Sequence, residues 1–217
     1  DELRRRHPGM LIDSCASGGR RDDLETMRRA VPILRSDLEN NPEAYQCFNY
    51  GFSLWLPFYD STNYEKFDNY YFRSTIAPFL QCNWDVRKDD FDAKRARKCL
   101  NQWRSVADYY FGDFWPLSDY SITNKVWIAW QFDRPDLAEG LIQAFRRPDC
   151  PYVSAQYKLQ ALESDALYIV SDLDTDQPRQ MTGRELMQDG LIITISQQPG
   201  AALITYKKVD TAQPLTI

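Results

Sequence analysis

The stretch MLIDSCASGGRRDDLETMRRAVPILRSD, residues 10–37, holds two short apolar runs, Met10-Leu11-Ile12 and Ala30-Val31-Pro32-Ile33-Leu34. Each runs straight into polar residues with chemistry to offer, Asp13-Ser14-Cys15 after the first and Arg35-Ser36-Asp37 after the second. Between them lie the turn Ser17-Gly18-Gly19 and a short charged segment, Asp22 to Arg29, with acids at its start and bases at its end, as the dipole of a helix favours. This pattern predicts a strand, loop, helix and strand, with reactive side chains at the carboxyl ends of both strands, where α/β sheets and barrels keep their sites.

Upstream, Asp1 to Arg6 reads as the end of a helix stopped by Pro8-Gly9. Downstream, Asn40-Asn41-Pro42-Glu43 opens a helix, and Ala44, Cys47, Phe48, Gly51, Phe52 and Trp55 recur at helical spacing. Tyr64 to Tyr71 is a mixed aromatic and charged segment, Ile76 to Cys82 reads as a third apolar strand, and Phe91 to Tyr110 as the longest helix. After Phe111-Gly112-Asp113 the pattern changes. Strands are predicted at Val126–Phe132, Gly140–Phe145, Gln156–Leu159, Tyr168–Ser171, Leu191–Ser196 and Ala202–Tyr206, with a short helix at Arg184–Met187 capped by Gly190. The fold class expected is therefore α/β followed by all-β, with residues 1–119 in the first domain and 120–217 in an antiparallel β domain. Three strand-helix units cannot close an eight-stranded barrel, and a free three-stranded parallel sheet leaves an apolar edge, so the chain reads as the carboxyl-terminal portion of something larger.

Composition narrows the function. With 43% hydrophobic and 14% aromatic residues the chain can bury sizeable cores, and no window approaches 18 uncharged apolar residues, so no membrane partner is expected. The net charge of −5, with Arg4-Arg5-Arg6 and Arg20-Arg21 offset by nearby acids, argues against nucleic acid and suits a neutral, polar small molecule. Five widely spaced cysteines (Cys15, Cys47, Cys82, Cys99, Cys150) without a C-x-x-C pair suggest neither a disulfide framework nor a metal site; no cofactor is expected, and reduced thiols point to a cytoplasmic setting. His7 is the single histidine and sits in a turn, which leaves little room for Ser-His or Cys-His chemistry.

Several residues have both a chemical and a plain reading. Asp37 is a strand-end carboxylate suited to acid/base work, or a helix cap ahead of Asn40-Asn41-Pro42. Gly18 and Gly19 form an ordinary turn, or bring backbone N–H groups to a ligand. Arg21 donates to a ligand or carboxylate, or pairs with Asp22, Asp23 or Asp37. Asp13 orients Arg21, binds substrate or is structural, and Cys15 is a small buried residue or a nucleophile lacking a base. Of the aromatics Trp55, Tyr59 and Trp84, the last lies in a loop after a strand and is the one placed to stack on a ligand.

At Ile12 to Arg21 and Leu34 to Asp37 the sequence resembles the retaining α-galactosidases of glycoside hydrolase family 36, whose clan shares a (β/α)8 barrel followed by a β-sandwich. The family's C-x-x-G-G-x-R stretch after the sixth barrel strand is matched by Cys15-Ala16-Ser17-Gly18-Gly19-Arg20-Arg21, and its aromatic-x-Ser-Asp stretch after the seventh by Leu34-Arg35-Ser36-Asp37. Gln46 matches a glutamine about nine residues further on, and Trp127–Arg147, Leu159–Asp174, Thr182–Leu191 and Ala202–Tyr206 are similar to the terminal β domain. Leu34 stands where the family usually has tryptophan and Arg20 where it has a third glycine, changes that reshape the sugar pocket.

The resemblance implies the last strand-helix units of a barrel, then a β-sandwich. It implies hydrolysis of terminal α-galactosides or related α-glycosides by double displacement, with Asp37 as general acid/base. Cys15, Gly18, Gly19, Arg21, Asp13 and Trp84 would line the oligosaccharide site. The family's nucleophile, an aspartate in a Lys-x-Asp motif after the fourth barrel strand, falls by order ahead of Asp1. Lys66-Phe67-Asp68 has those letters but follows no apolar run. This chain would thus supply one carboxylate of the pair that retaining hydrolysis needs, be inactive by itself, and leave any homo-oligomer to the full-length parent. Two other readings stand beside it: a raffinose-synthase-like transglycosylase using the same carboxylates, and a non-catalytic carbohydrate-binding or interaction protein that uses the β domain.

Overall fold

A computed structural model describes residues 1–15, 18–31, 34, 36–38, 40–56, 58–175 and 177–209. The chain divides into two compact units, Asp1–Ala107 and Asp108–Ile217, a division that falls ahead of the 119/120 break read from the sequence.

In the first unit, α1 (Glu2–Arg6) and α2 (Leu24–Met27) are short, and Asp23 caps α2 by accepting from Thr26 N at 2.8 Å. Arg29 joins them through an ion pair to Asp1 at 2.8 Å. The strand expected at Met10–Cys15 does not form as a buried element: Met10, Leu11, Asp13 and Cys15 are exposed, Leu11 at 89%, and among the described residues its main-chain tie to the second run is Leu34 N donating to Ser14 O at 2.8 Å. The second predicted strand falls partly on residues 32, 33 and 35, outside the described ones.

Helix α3 (Pro42–Ser53) begins where proline at the first position and Asn41 as cap dictate, with Asn41 Oδ1 accepting from Ala44 N at 2.9 Å. Its most buried face differs from the expected apolar one. Tyr45, Gln46, Asn49 and Tyr50 are buried, whereas Trp55, just past its end, is 49% exposed. Hydrogen bonds explain the inversion: Tyr45 donates to Thr62 O (2.9 Å), Gln46 to Ser74 Oγ (3.0 Å), and Asn49 to the carbonyls of Ser74 (3.0 Å) and Ile76 (3.2 Å).

A β-α-β unit follows. Strand β1 (Asp60–Asn63) runs parallel to β2 (Phe79–Cys82), with helix α4 (Asn69–Thr75) between them. The third predicted strand is thus present but shorter, because Ile76 caps α4 and Pro78 precedes β2. Helix α5 (Ala93–Val106), capped by Asp92, ends in a tighter helical turn at Ala107–Phe111, so the long predicted helix is split.

The second unit is an antiparallel β-sandwich. Its strands are β3 (Asp113–Pro116), β4 (Trp127–Arg134), β5 (Glu139–Arg146), β6 (Ser154–Tyr157), β7 (Leu167–Asp172), β8 (Arg179–Thr182), β9 (Leu191–Thr194) and β10 (Gly200–Lys208). One sheet has the order β3-β4-β5-β10-β7-β8 and the other pairs β6 with β9. All six predicted strands are there. Side chains from both sheets, among them Ala129, Ile142, Leu191, Ile193 and Ile204, share one core. Gly140 is obligatory, since a Cβ there would run into the Tyr206 ring, whose hydroxyl donates to the buried Asp133 at 2.5 Å. The short predicted helix appears as one wide turn, Glu185–Asp189, closed by Gly190 at φ +91°. Among the described residues no helix is long and apolar enough to cross a membrane.

Candidate functional site

Two contacts among the described residues fold the stretch from Met10 to Asp37 back on itself. Leu34 N on Ser14 O ties the ends of the two apolar runs, so Ser14 lies beside Leu34, three positions ahead of Asp37. The second contact is tighter. Gly18, at φ +68°, sits so close to Asp37 that a Cβ on it would lie 2.5 Å from Asp37 Oδ2 and 2.8 Å from Cγ. The backbone angle favours glycine, and a Cβ there would force the Asp37 carboxyl to move. The glycine turn and the aspartate, 19 positions apart in sequence, form one local structure.

Asp37 itself is exposed, and capping is not its task, because Asn41 caps α3. Gly19, at φ +85°, continues the turn, and its carbonyl accepts from Asp22 N at 3.3 Å. Burial, helped by the neighbouring charge of Asp23, pushes the Asp22 carboxyl up to about 6. Arg21 is exposed and forms no ion pair among the described residues; its charge adds slightly to the Thr26 hydrogen bond that holds Asp23 below the usual carboxylate range. Cys15 is exposed. Residues 16, 17 and 35 of the two motifs lie outside the described residues.

Asp13 is exposed and its Oδ2 accepts from Gln81 Nε2 at 3.4 Å, which links the stretch to β2. Trp84 follows β2 in a loop, as expected, and is half-buried. Its indole N–H donates to Asn63 Oδ1 (2.9 Å), and its ring packs edge-on against Phe67 (5.1 Å) and tilted against Phe91 (6.3 Å). These contacts give Trp84 a packing role at the carboxyl ends of β1 and β2. Gln46 is fully buried. Asp68 caps α4 by accepting from Tyr71 N at 2.8 Å. Sequence reasoning passed over Gln81 and Asp60; the signal for Gln81 was a polar side chain inside an apolar run, and for Asp60 none stood out. Among the described residues no cluster of His, Cys, Asp and Glu could hold a metal ion.

A parallel β-α-β unit followed by an antiparallel sandwich is the fold of part of the family 36 α-galactosidases. The chain superposes on a Geobacillus stearothermophilus α-galactosidase, AgaA, solved with raffinose (TM-score 0.78, 19% identity, 96% of this chain and 30% of that one). It superposes equally on the Lactobacillus brevis α-galactosidase (0.78, 18%, 98% and 31%), and on the galactosidase domain of the α-galactosidase-sucrose kinase AgaSK (0.74, 18%, 96% and 30%). The likeness is one of fold, and the chain spans about a third of the length of these proteins. No family model and no curated protein matches the sequence.

Proposed function

We propose that this chain carries the acid/base half of a retaining α-galactosidase-like site and belongs to the carboxyl-terminal portion of such an enzyme. Met10 to Asp37 and the β1-α4-β2 unit would complete a (β/α)8 barrel, and the sandwich would be the terminal domain. The observation that carries the proposal is the contact of Gly18 with Asp37, which joins the two stretches that resemble the family's motifs in one place. Asp37 would protonate the glycosidic oxygen of an α-galactoside and then take the proton from water. The nucleophile, about 5 to 5.5 Å from it in retaining enzymes, would come from outside these 217 residues. Gly18 and Gly19 would offer N–H groups, and Arg21 and Asp13 charged partners, to the sugar hydroxyls.

Turnover of a nitrophenyl α-galactoside tests this. The 217-residue chain is expected to release no nitrophenol. The polypeptide that also carries a Lys-x-Asp nucleophile is expected to release it, and Asp37→Asn to slow it by about 10²–10⁴-fold. Hydrolysis by the isolated chain that Asp37→Asn abolishes would refute the half-site, and full activity of Asp37→Asn in the longer polypeptide would refute the acid/base role.

A further inference from the structure

Gln81 has two amide protons, and two carboxylates take them: Asp60 Oδ2 at 2.8 Å and Asp13 Oδ2 at 3.4 Å. Its Oε1 accepts from Thr62 Oγ1 at 3.3 Å, across the β1–β2 register in which Thr62 and Gln81 are partners. A flipped amide would aim oxygen at both carboxylates, so the bonding fixes its orientation. The two ends of this bridge differ. Asp60 is fully buried in a strand whose four residues are all buried, whereas Asp13 is exposed and directly precedes Ser14, whose carbonyl accepts from Leu34 N at 2.8 Å.

We infer that Gln81 is a positioning residue: it holds Asp13 in one rotamer by transmitting the rigidity of the β1–β2 pair, so that the carboxylate meets adjacent hydroxyls of a pyranose. The sugar as ligand rests on the function proposed above; the positioning does not. A carboxylate has about four acceptor sites, Gln81 uses one on Oδ2, and among the described residues Asp13 Oδ1 has no hydrogen-bond partner. A neutral amide is the side chain that suits this place. Glutamate would bring a third carboxylate to the bridge, and a hydrophobe of equal length would leave Asp60 without this donor.

Two measurements separate the positioning from the ligand. In the 217-residue chain, three-bond couplings at Asp13 should report one χ1 rotamer, and Gln81→Met should average them. If Gln81→Met does not fold, Asp13→Ala reads the same bond from the other side. One of the two Gln81 side-chain protons should then shift and exchange faster while the one bound to Asp60 holds. Averaged couplings in the unmodified chain, or no response in either variant, overturn the inference. The second measurement is affinity for methyl α-D-galactopyranoside. Gln81→Met should weaken it about 5–10-fold, the size of an ordinary net hydrogen bond, and should weaken Asp13→Ala no further. An equal loss on both backgrounds would show that Gln81 acts otherwise than through Asp13 and overturn the inference. If the rotamer result holds and the unmodified chain binds no galactoside, the positioning stands and the sugar reading fails.

Discussion

The β4–β5 hairpin and the stretch from Met10 to Asp37 are of similar length and opposite construction. In the hairpin every residue from Trp127 to Asp133 pairs with one between Gly140 and Arg146, and nearly all are buried. Among the described residues of Met10 to Asp37, the ties seen between the two runs are a main-chain hydrogen bond and a glycine-carboxylate contact, and Ala30 alone is buried. Stability concentrates where apolar side chains and ladder bonds accumulate, whereas binding groups need access to solvent and are held by a few specific contacts. The difference fits a scaffold in the hairpin and, on the function proposed above, chemistry in the stretch.

The largest effect should come from the hairpin. Trp130 is fully buried and donates to Gln143 Oε1 at 2.9 Å, so Trp130→Ala should cost about 3–5 kcal/mol in urea unfolding. A loss below about 1 kcal/mol would erase the contrast. Next, Gly18→Ala imposes a left-handed angle on a residue with a side chain and pushes a methyl into Asp37. We expect about 1–3 kcal/mol of destabilisation together with loss of galactoside binding. Binding that survives would detach the glycine turn from the site.

Smaller again is a pair of carboxamide and carboxylate changes on either side of Asn40. Asn41→Ala should cost about 1 kcal/mol, because it removes the cap of α3. Asp37→Asn should change stability by less than about 0.5 kcal/mol, as fits a residue kept for chemistry. The reverse order would make Asp37 the structural residue. The smallest effect concerns pH. The Asp22 carboxyl, moved by burial and then by Asp23 from 3.8 to about 6, binds its proton more tightly in the folded chain. Its contribution is therefore complete below about 3.8 and is lost as pH rises through about 6, damped by partial exposure. Urea midpoints across that range should fall for the unmodified chain and stay flatter for Asp22→Asn; parallel curves would refute the shift.

The β-sandwich was legible because its strands alternate or run apolar over six or more residues between clear turn signals, as in Trp127–Arg134 and Gly200–Lys208. The strands that escaped notice, β3 and β8, are four-residue edges with proline or charge, which carry little pattern. Strand β1 escaped for the opposite reason. Asp60-Ser61-Thr62-Asn63 is wholly polar yet wholly buried, and only its partners, such as Tyr45 for Thr62 and Gln81 for Asp60, explain it. The face of α3 was misjudged on the same ground: periodicity counts apolar residues, and Gln46 and Asn49 are buried through hydrogen bonds that no spacing reveals. At the candidate site the residue types were readable, from Asp37 and the glycine pair, but the support for Asp13 was not, since Gln81 lies 68 residues away.

The most direct test of where the chemistry lies is a residue-resolved NMR titration of the 217-residue chain with raffinose. We expect amide shifts confined to Asp13–Asp37 and the Gln81–Trp84 segment, with Gly18, Gly19 and Asp37 moving most, and none in the sandwich. Shifts that map instead to β3–β10 would make the β domain the binding element and contradict the assignment of Asp37 and its glycine turn to the site.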